Sequence, residues 1–317
     1  MPTDIDIDID GAVAEAVRAP SSHNTQPWLF ERADDGLRLY ADRTRALPVN
    51  DPEDRELTMS CGAALLTLRV AVAGQGAGTE VTLLPEGDDS DLLATVAVGG
   101  AADPARAALA PAIAARHTHR GDFEAAPVEA EIVQRLAAAA EAEGAHLAAV
   151  EGDSLRAALA DLVAEGDATQ WADPRWRREL AMWMHPRRMG DGLAMPGVAV
   201  PVARFAVRHF DMGDRIGAQD AERARAAPCL AVLGTEGDTP RDWLRAGMAL
   251  ARVLLVAAEA GLQAGYLNQP LQIAALRPRV RTLVRDAWLP QSVLRLGLPD
   301  GPPSATPRRP ADEILVP

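Results

Sequence analysis

Two hydrophobic periods alternate along this chain, one of about 3.6 residues and one of 2, and their order predicts repeated switching between helix and strand. An Ala-rich helical run reaches Ala19 and is stopped by Pro20. Trp28, Leu29 and Phe30 then lead into an extended segment, and Gly36 to Tyr40 alternates as a strand does. A long Ala/Leu helix is predicted over about 53–73, ending at Gly74-Gln75-Gly76, followed by strands at Thr79 to Leu84 and Leu92 to Val98. The pattern restarts after Gly99-Gly100. Residues 104–115 read as one helix, 128–143 as another, His146 to Val150 as a short strand and Ser154 to Trp171 as a further helix. Ala227 to Gly234 is an apolar run short enough to be a buried strand. Thr239, with Pro240 just inside and Asp242 three residues on, starts a helix that runs to Gly261.

The helices after Cys61 and Arg245 share one plan: small residues first, then a branched apolar face, then Gly and a strand. Thr95 to Gly99 and Leu294 to Pro299 correspond as strands. The expected fold is therefore α/β of α+β type, with two similar lobes in one chain, each a small, mostly antiparallel sheet packed by helices. The first lobe covers 1–100 and the second 101–317. Any two Ala-rich helices look somewhat alike, which is the competing explanation.

Two stretches depart from this regular pattern. Ser21, Ser22, Asn24, Thr25 and Gln26 crowd hydrogen-bonding side chains between Pro20 and Pro27, so 19–30 is either a ligand loop or a helix stop followed by an Asx or Ser turn. From about 170 to 202 the chain holds Trp171, Trp176 and Trp183, with Met182, Met184, Met189 and Met195, and Pro186, Pro196 and Pro201. This insert reads as a flap. Gly190, Gly192 and Gly197 suggest that it moves, and its tryptophans suggest that it plugs something.

Composition narrows the chemistry. A net charge of −13 over 317 residues argues against nucleic acid and against an anionic membrane as partners through general electrostatics. With no uncharged run of 18 apolar residues and an acidic rather than basic start, a cytoplasmic location is expected. Cys61 and Cys229 lack metal or disulfide spacing and read as small buried residues. The chain contains no lysine, so a Schiff-base lysine and a P-loop lysine are excluded, and phosphate recognition falls to arginine.

Arg116, Thr118 and Arg120 fall on alternate residues and can face one phosphate, and Arg308-Arg309 between prolines offers two more guanidinium groups or is a solvated tail. His117 and His119 are spaced as metal ligands, but the flanking arginines repel a cation and no Asp or Cys completes a set, so no metal is expected. No G-x-S-x-G surrounds Ser21 or Ser22, and no G-x-G-x-x-G follows a predicted strand.

Ala19-Pro-Ser-Ser-His-Asn-Thr-Gln-Pro-Trp28 resembles the A-P-S-x-x-N-x-Q-P-W segment of the nitroreductase family of FMN-dependent oxidoreductases. Arg116 to Arg120 with Phe123 and Pro127-Val128 resembles that family's R-x-S-x-R-x-F…P-V, and the chain from Asp242 through Gly261 to Tyr266, Leu294 and Arg308-Arg309-Pro310 is similar to its C-terminal half. The two motifs stand in reversed order, an arrangement similar to Acg-like proteins in which two fused units stand in for a homodimer. The resemblance implies one FMN between the lobes and one vacant pseudo-site, since Asp42-Arg-Thr-Arg45 only weakly echoes the phosphate motif. It implies that Pro20, Ser21, Ser22 and Asn24 line the ring edge, with Gln26 and His117 also at the cofactor. Arg116, Thr118, Arg120, Arg308 and Arg309 would hold phosphate and ribityl, and Gly265, Tyr266 and Leu267 would face the ring. Trp171, Trp176, Trp183, Met184 and Met195 would form the substrate or lid side. The flavin would carry the chemistry, with no catalytic side chain, NAD(P)H as donor and a small electrophilic or aromatic substrate. A lidded protein that stores FMN is the alternative. Internal duplication makes a monomer the expected state.

Overall fold

The computed structural model describes residues 7–284, 288–302 and 305–316; the acidic opening run through Asp6 lies outside them. A first sheet is built from β1 (Trp28–Ala33), β2 (Gly36–Ala41), β3 (Ala77–Leu83), β4 (Leu92–Ala101) and, at the far end of the chain, β9 (Leu315–Val316). Its order is β3-β4-β2-β1-β9. The pairs are antiparallel except for the last, where Phe30 stands beside Leu315 in parallel. The second sheet contains β5 (His146–Ala149), β6 (Cys229–Thr235), β7 (Gln263–Tyr266) and β8 (Leu289–Gly297), all antiparallel in the order β5-β6-β8-β7. Both sheets are small and flanked by helices, as the hydrophobic pattern implied.

Between them lie the two long helices whose shared plan the sequence displayed. α1 (Ile9–Ala16) packs on α2 (Arg55–Gly74), and α2 packs along its length on α10 (Pro240–Glu259). Glycine makes that approach possible: a Cβ on Gly62 would lie 2.3 Å from the Leu244 carbonyl, and one on Gly247 would lie 1.9 Å from the Met59 carbonyl. The two contacts are reciprocal, each helix giving a glycine to the other's backbone. α2 is long and apolar enough to cross a membrane, yet nearly all of it is buried in the protein's own core. At the start of α10, Thr239 Oγ1 accepts from the Asp242 backbone N–H at 3.4 Å, and the Asp242 carboxylate accepts from the Thr239 N–H at 3.0 Å, completing the capping box.

Between these elements run α3 (Pro104–Ala107), α4 (Ala112–Ala115), α5 (Ala130–Glu141), α6 (Asp153–Ala172), α7 (Pro174–Met182), α8 (Val200–His209), α9 (Gly213–Ala226), α11 (Gln269–Gln272) and α12 (Arg277–Leu283). The single helix expected over 104–115 is two short ones, because Pro111 at the break has no N–H to continue the ladder. The insert is also more regular than expected. α7 occupies its first third and α8 begins before its end, with only 183–199 left as loop and one 3-10 turn. α9 has little apolar periodicity and packs on α6 through Gly213, Gly217, Ala221 and Ala224, small residues that carry no periodic signal.

Candidate functional site

A cavity of about 420 Å³ opens where the 19–30 loop, α2, α6, α9 and the segments after His117 and Tyr266 meet. Its size is in the range of small-molecule and cofactor pockets. From the loop come Pro20, Ser21, Ser22 and His23, and from the second sheet's side Thr118, Arg120, Tyr266 and Leu267. The loop is bent into place by three non-glycine residues at positive φ, His23 at 47°, Asn24 at 55° and Gln26 at 51°. Such backbone persists only where its surroundings over-determine it. Here the Gln26 N–H donates to Ser21 Oγ at 3.0 Å, Ser22 Oγ donates to the Glu56 carboxylate, and Asn24 and Gln26 bind backbone on two other segments.

At one end the cavity is cationic. Thr118 is bridged in parallel to Ala264, and the His119 N–H donates to the Ala264 carbonyl at 2.8 Å, which fixes 116–120 against β7. Arg116 is buried. Its Nη2 donates to the Arg18 carbonyl at 2.7 Å, and its Nη1 is buried with no partner. Arg308 reaches the same place from the C-terminal arm and donates to the Arg18 carbonyl at 3.0 Å, to Ala19 at 3.3 Å and to Asn24 Oδ1 at 3.1 Å; its buried Nε is unpaired. Carbonyls past the end of α1 thus seat both guanidinium groups, as helix C-termini favour. Arg120 lines the cavity and has neither hydrogen bond nor ion pair among the described residues. Burial first, then Arg116 and Arg120, hold the Arg308 guanidinium down to about 9. Partial burial, Arg116, Arg308 and Arg18 likewise keep the His117 ring below its usual range. Tyr266 is pushed up by burial and pulled back by Arg116, Arg120 and Arg308. Neither Arg116 nor Arg308 has an ion pair among the described residues, so the cluster fits an anion brought from outside, with guanidinium forks to meet it.

The opposite end is rich in amides and carboxylates. The Gln272 amide donates to both Glu56 oxygens at 2.9 and 3.0 Å, and Gln170 donates to Gln272 at 2.6 Å. Trp176 Nε1 donates to Asn50 Oδ1 at 2.9 Å, while Asn50 Nδ2 is buried and unpaired. The Gln269 amide nitrogen bridges Asp167 at 3.3 Å and Asp220 at 3.0 Å. Burial and Asp220 push the Asp167 carboxyl up to about 7. Burial holds the His23 ring down to about 4, so it is neutral at pH 7. Trp171 and Trp176, edge to face with centroids 5.5 Å apart, close this end.

Several expected site residues do not line the cavity, Arg116 and Arg308 among them, whose guanidinium groups are seated on the Arg18 and Ala19 carbonyls. Asn24 does not line the cavity; its Nδ2 donates to the Gly192 and Pro307 carbonyls at 3.3 and 3.1 Å, so it anchors the insert and the C-terminal arm. Gln26 does the same, donating to Gly190 at 2.9 Å and accepting from the Arg309 N–H at 3.0 Å. Arg309 does not join Arg308, since its guanidinium donates to the Gln26 and Glu313 carbonyls and faces Glu313 at 3.6 Å. His117 contributes its backbone N–H to Gln263 Oε1 at 2.8 Å and is not at the cavity. Gly265 is set behind it, where a Cβ would meet the His119 carbonyl at 2.7 Å. In the insert, Trp183 lies tilted beside His185 and near Arg45, Met184 packs on the Trp171–Trp176 cluster and Met195 bridges Pro186; Leu180 and Leu193 join Trp171 and Trp176 in lining the cavity.

Sequence reasoning missed His23, Asn50, Glu56, Asp167, Asp220 and the three glutamines. One signal was present for part of the set. Asp167, Gln170 and Trp171 are spaced i, i+3, i+4, which puts them on one face of α6.

No family model matches the chain. It is 34% identical over 310 residues to Rv3131 of Mycobacterium tuberculosis (strain ATCC 25618 / H37Rv), provisionally named an NAD(P)H nitroreductase, spanning 95% of this chain and 88% of that one. To the acg protein of the same strain, which carries the same provisional name, it is 30% identical over 318 residues, 97% and 95% of the two chains. Among solved structures, the FMN and NADPH-dependent nitroreductase NfnB from Sphigopyxis sp. strain HMH overlaps 65% of this chain and 96% of its own at 21% identity and a TM-score of 0.44.

Proposed function

We propose, from the premise that this chain belongs to the nitroreductase family, that it is an FMN-dependent oxidoreductase holding one flavin in the cavity between its two sheets. The observation that carries the reading is the open guanidinium cluster. Arg116 and Arg308 each keep a buried unpaired N–H, and Arg120, exposed where it lines the cavity, has no partner among the described residues. A phosphate supplies the charge and the acceptors that these groups lack.

Arg116, Arg120, Arg308 and Thr118 would hold the phosphate and ribityl chain, while Pro20, Ser21, Ser22, Tyr266 and Leu267 would face the ring system. When bound, FMN supplies hydride transfer, drawn from NAD(P)H in this reading and passed to a small electrophilic or aromatic substrate. The protein's part would be to seat the ring against the loop and Leu267 and to keep water out with Trp171, Trp176 and Leu193. Glu56, fixed by Ser22 and Gln272, stiffens the loop that carries the ring contacts. The acidic end, with Asp167 and Asp220, remains for the substrate's polar group. The reciprocal glycine contacts of α2 and α10 support reading the chain as two paired lobes, with residues 1–100 and 101–317 as the halves and a monomer as the working unit. A cytoplasmic location accords with an enzyme of this kind.

Titration of apoprotein with FMN and with riboflavin, followed by flavin fluorescence, tests the reading because the two ligands differ by the phosphate alone. FMN should bind at one per chain and at least 100-fold more tightly. Equal affinity for the two, or two equal FMN sites, overturns it.

One observation favours a second reading, FMN storage under a lid. The insert is tied to the cavity loop through Asn24–Gly192, Gln26–Gly190 and the buried Arg45–Asp191 pair, so the flap is fastened rather than loose. Anaerobic stopped-flow with NADPH and NADH separates the two, since absence of bleaching with both would favour storage.

A further inference from the structure

Six of the eight large apolar side chains exposed among the described residues fall between 182 and 210, and that concentration identifies one surface. On α8, Val200 and Val207 are buried, Val207 in the cluster of Trp171, Trp176 and Ala181, as one apolar stripe should be. Val202 and Phe205 form a second stripe on the outer side, 71% and 57% exposed, flanked by Val198 at 91% and Phe210 at 56%. Phe205 lies 4.3 Å from the His209 ring and 6.3 Å from the Phe210 ring, so the aromatic part is continuous. Arg204 donates to the Met184 carbonyl at 2.9 Å and the Met182 carbonyl at 3.4 Å, bringing exposed Met182 alongside.

The charge around this face runs against the rest of the chain. Residues 174–212 carry seven arginines and three acidic residues within a protein of net −13. Two of those three, Glu179 and Asp191, are buried, one capping the Val49 and Asn50 N–H groups and the other paired with Arg45 and His185. Arg208, three residues after Phe205 and so on the same face of α8, and Arg188, in the turn of 187–189, are both exposed, with no hydrogen bond or ion pair among the described residues. The whole-chain charge, which spoke against an anionic membrane, therefore conceals a local surface of opposite sign.

We propose that the outer face of α8 with its approach, Val198 to Phe210, docks this protein on an anionic lipid bilayer. A convex helix carrying apolar knobs and flanking arginines matches the headgroup boundary, where the apolar face sinks a few ångströms and the guanidinium groups meet lipid phosphate. The acidic remainder is repelled by the same surface, so only this side can approach. A second copy is a poorer occupant. A two-fold interface sets a patch against itself, which would oppose two convex faces and bring Arg208 near its own copy.

The test uses the full-length, flavin-loaded protein sedimented with vesicles of phosphatidylcholine alone and of 70:30 phosphatidylcholine:phosphatidylglycerol, at low and high NaCl. Binding to the anionic vesicles should be at least tenfold tighter and should weaken with salt. Phe205→Ser with Phe210→Ser should reduce it at least tenfold, and Arg188→Ser with Arg208→Ser should remove the preference for anionic lipid. Because Cys61 and Cys229 are buried, Val202→Cys labelled with an environment-sensitive fluorophore reads insertion directly as a blue shift. Equal, weak binding to both vesicles, or an unshifted label, overturns the proposal. So does a concentration-dependent dimer dispersed by the Phe205 and Phe210 changes, which would give the face to a second copy. Capture of an acidic protein through this face, with no vesicle binding, would give it to a protein partner.

Discussion

Two segments of this protein, 42–45 and 116–120, each carry two arginines around a threonine, and the structure treats them in opposite ways. In Asp42-Arg-Thr-Arg45 every charge is answered from within. Arg43 pairs with Asp91 at 2.6 Å and with Asp54, Arg45 pairs with Asp191, and Thr44 turns back to Asp42. In Arg116-His-Thr-His-Arg120 none is. Arg116 finds a carbonyl, Arg120 has no partner among the described residues, and Arg308 arrives as a third cation rather than as a counter-charge. Composition is nearly the same in the two places; what differs is the supply of carboxylates from neighbouring elements. A set of arginines neutralised by its own fold is structural, and one left without carboxylates beside a cavity suits an anion. That difference underlies the expectation of one flavin and one vacant pseudo-site.

The largest effect should come from making the second segment resemble the first. Thr118→Glu supplies the missing carboxylate, so FMN affinity should fall by at least ~100-fold, since a charge-assisted contact is worth about 1.5–3 kcal/mol and phosphate would lose more than one. Apoprotein melting temperature should rise as the cluster is relieved. Unchanged FMN affinity in this variant would mean that the phosphate is held elsewhere. A smaller loss should follow from Arg120→Gln. This side chain has no protein partner to lose, so roughly 10- to 100-fold should disappear from FMN binding, with riboflavin binding and thermal stability unaltered. A drop in melting temperature would reveal a structural role that the geometry does not contain.

Parts of this comparison were legible in the sequence. The alternation of Arg116, Thr118 and Arg120, the Pro-flanked Arg308 and the helix start at Thr239-Pro-Arg-Asp242 are local patterns, and local patterns survive into the fold. The paired helices were legible for the same reason, through small residues at matching places before a branched face. The acidic end was not. Glu56, Asp167 and Asp220 come from three helices brought together only by tertiary packing, and a carboxylate on a helix reads as surface until its neighbours are known. The insert misled for a related reason: its Trp, Met and Pro content suggested a flap and drew attention from its helices, yet α7 starts at an Asp173 cap with Pro174 just inside, a signal as good as the one at α10. Polar side chains of the 19–30 loop were the hardest case, because sequence does not say whether an amide faces a ligand or a neighbouring carbonyl.

Asn24 decides that last point, and its expected effect is the smallest. By resemblance it belongs at the ring edge; in the structure its Nδ2 holds Gly192 and Pro307 while its Oδ1 receives Arg308. The two roles separate on two ligands. If Asn24 touches the ring, Asn24→Ala weakens FMN and riboflavin alike. If it is an anchor, the change leaves riboflavin nearly untouched and acts on FMN only by loosening Arg308, a few-fold at most because the Arg18 and Ala19 carbonyls still seat that guanidinium. Its main cost then falls on stability, about 1–3 kcal/mol for buried partners left unpaired. It should appear as an earlier urea midpoint and faster proteolysis within 183–199, where the insert loses its tie. A riboflavin loss as large as the FMN loss would return Asn24 to the ring.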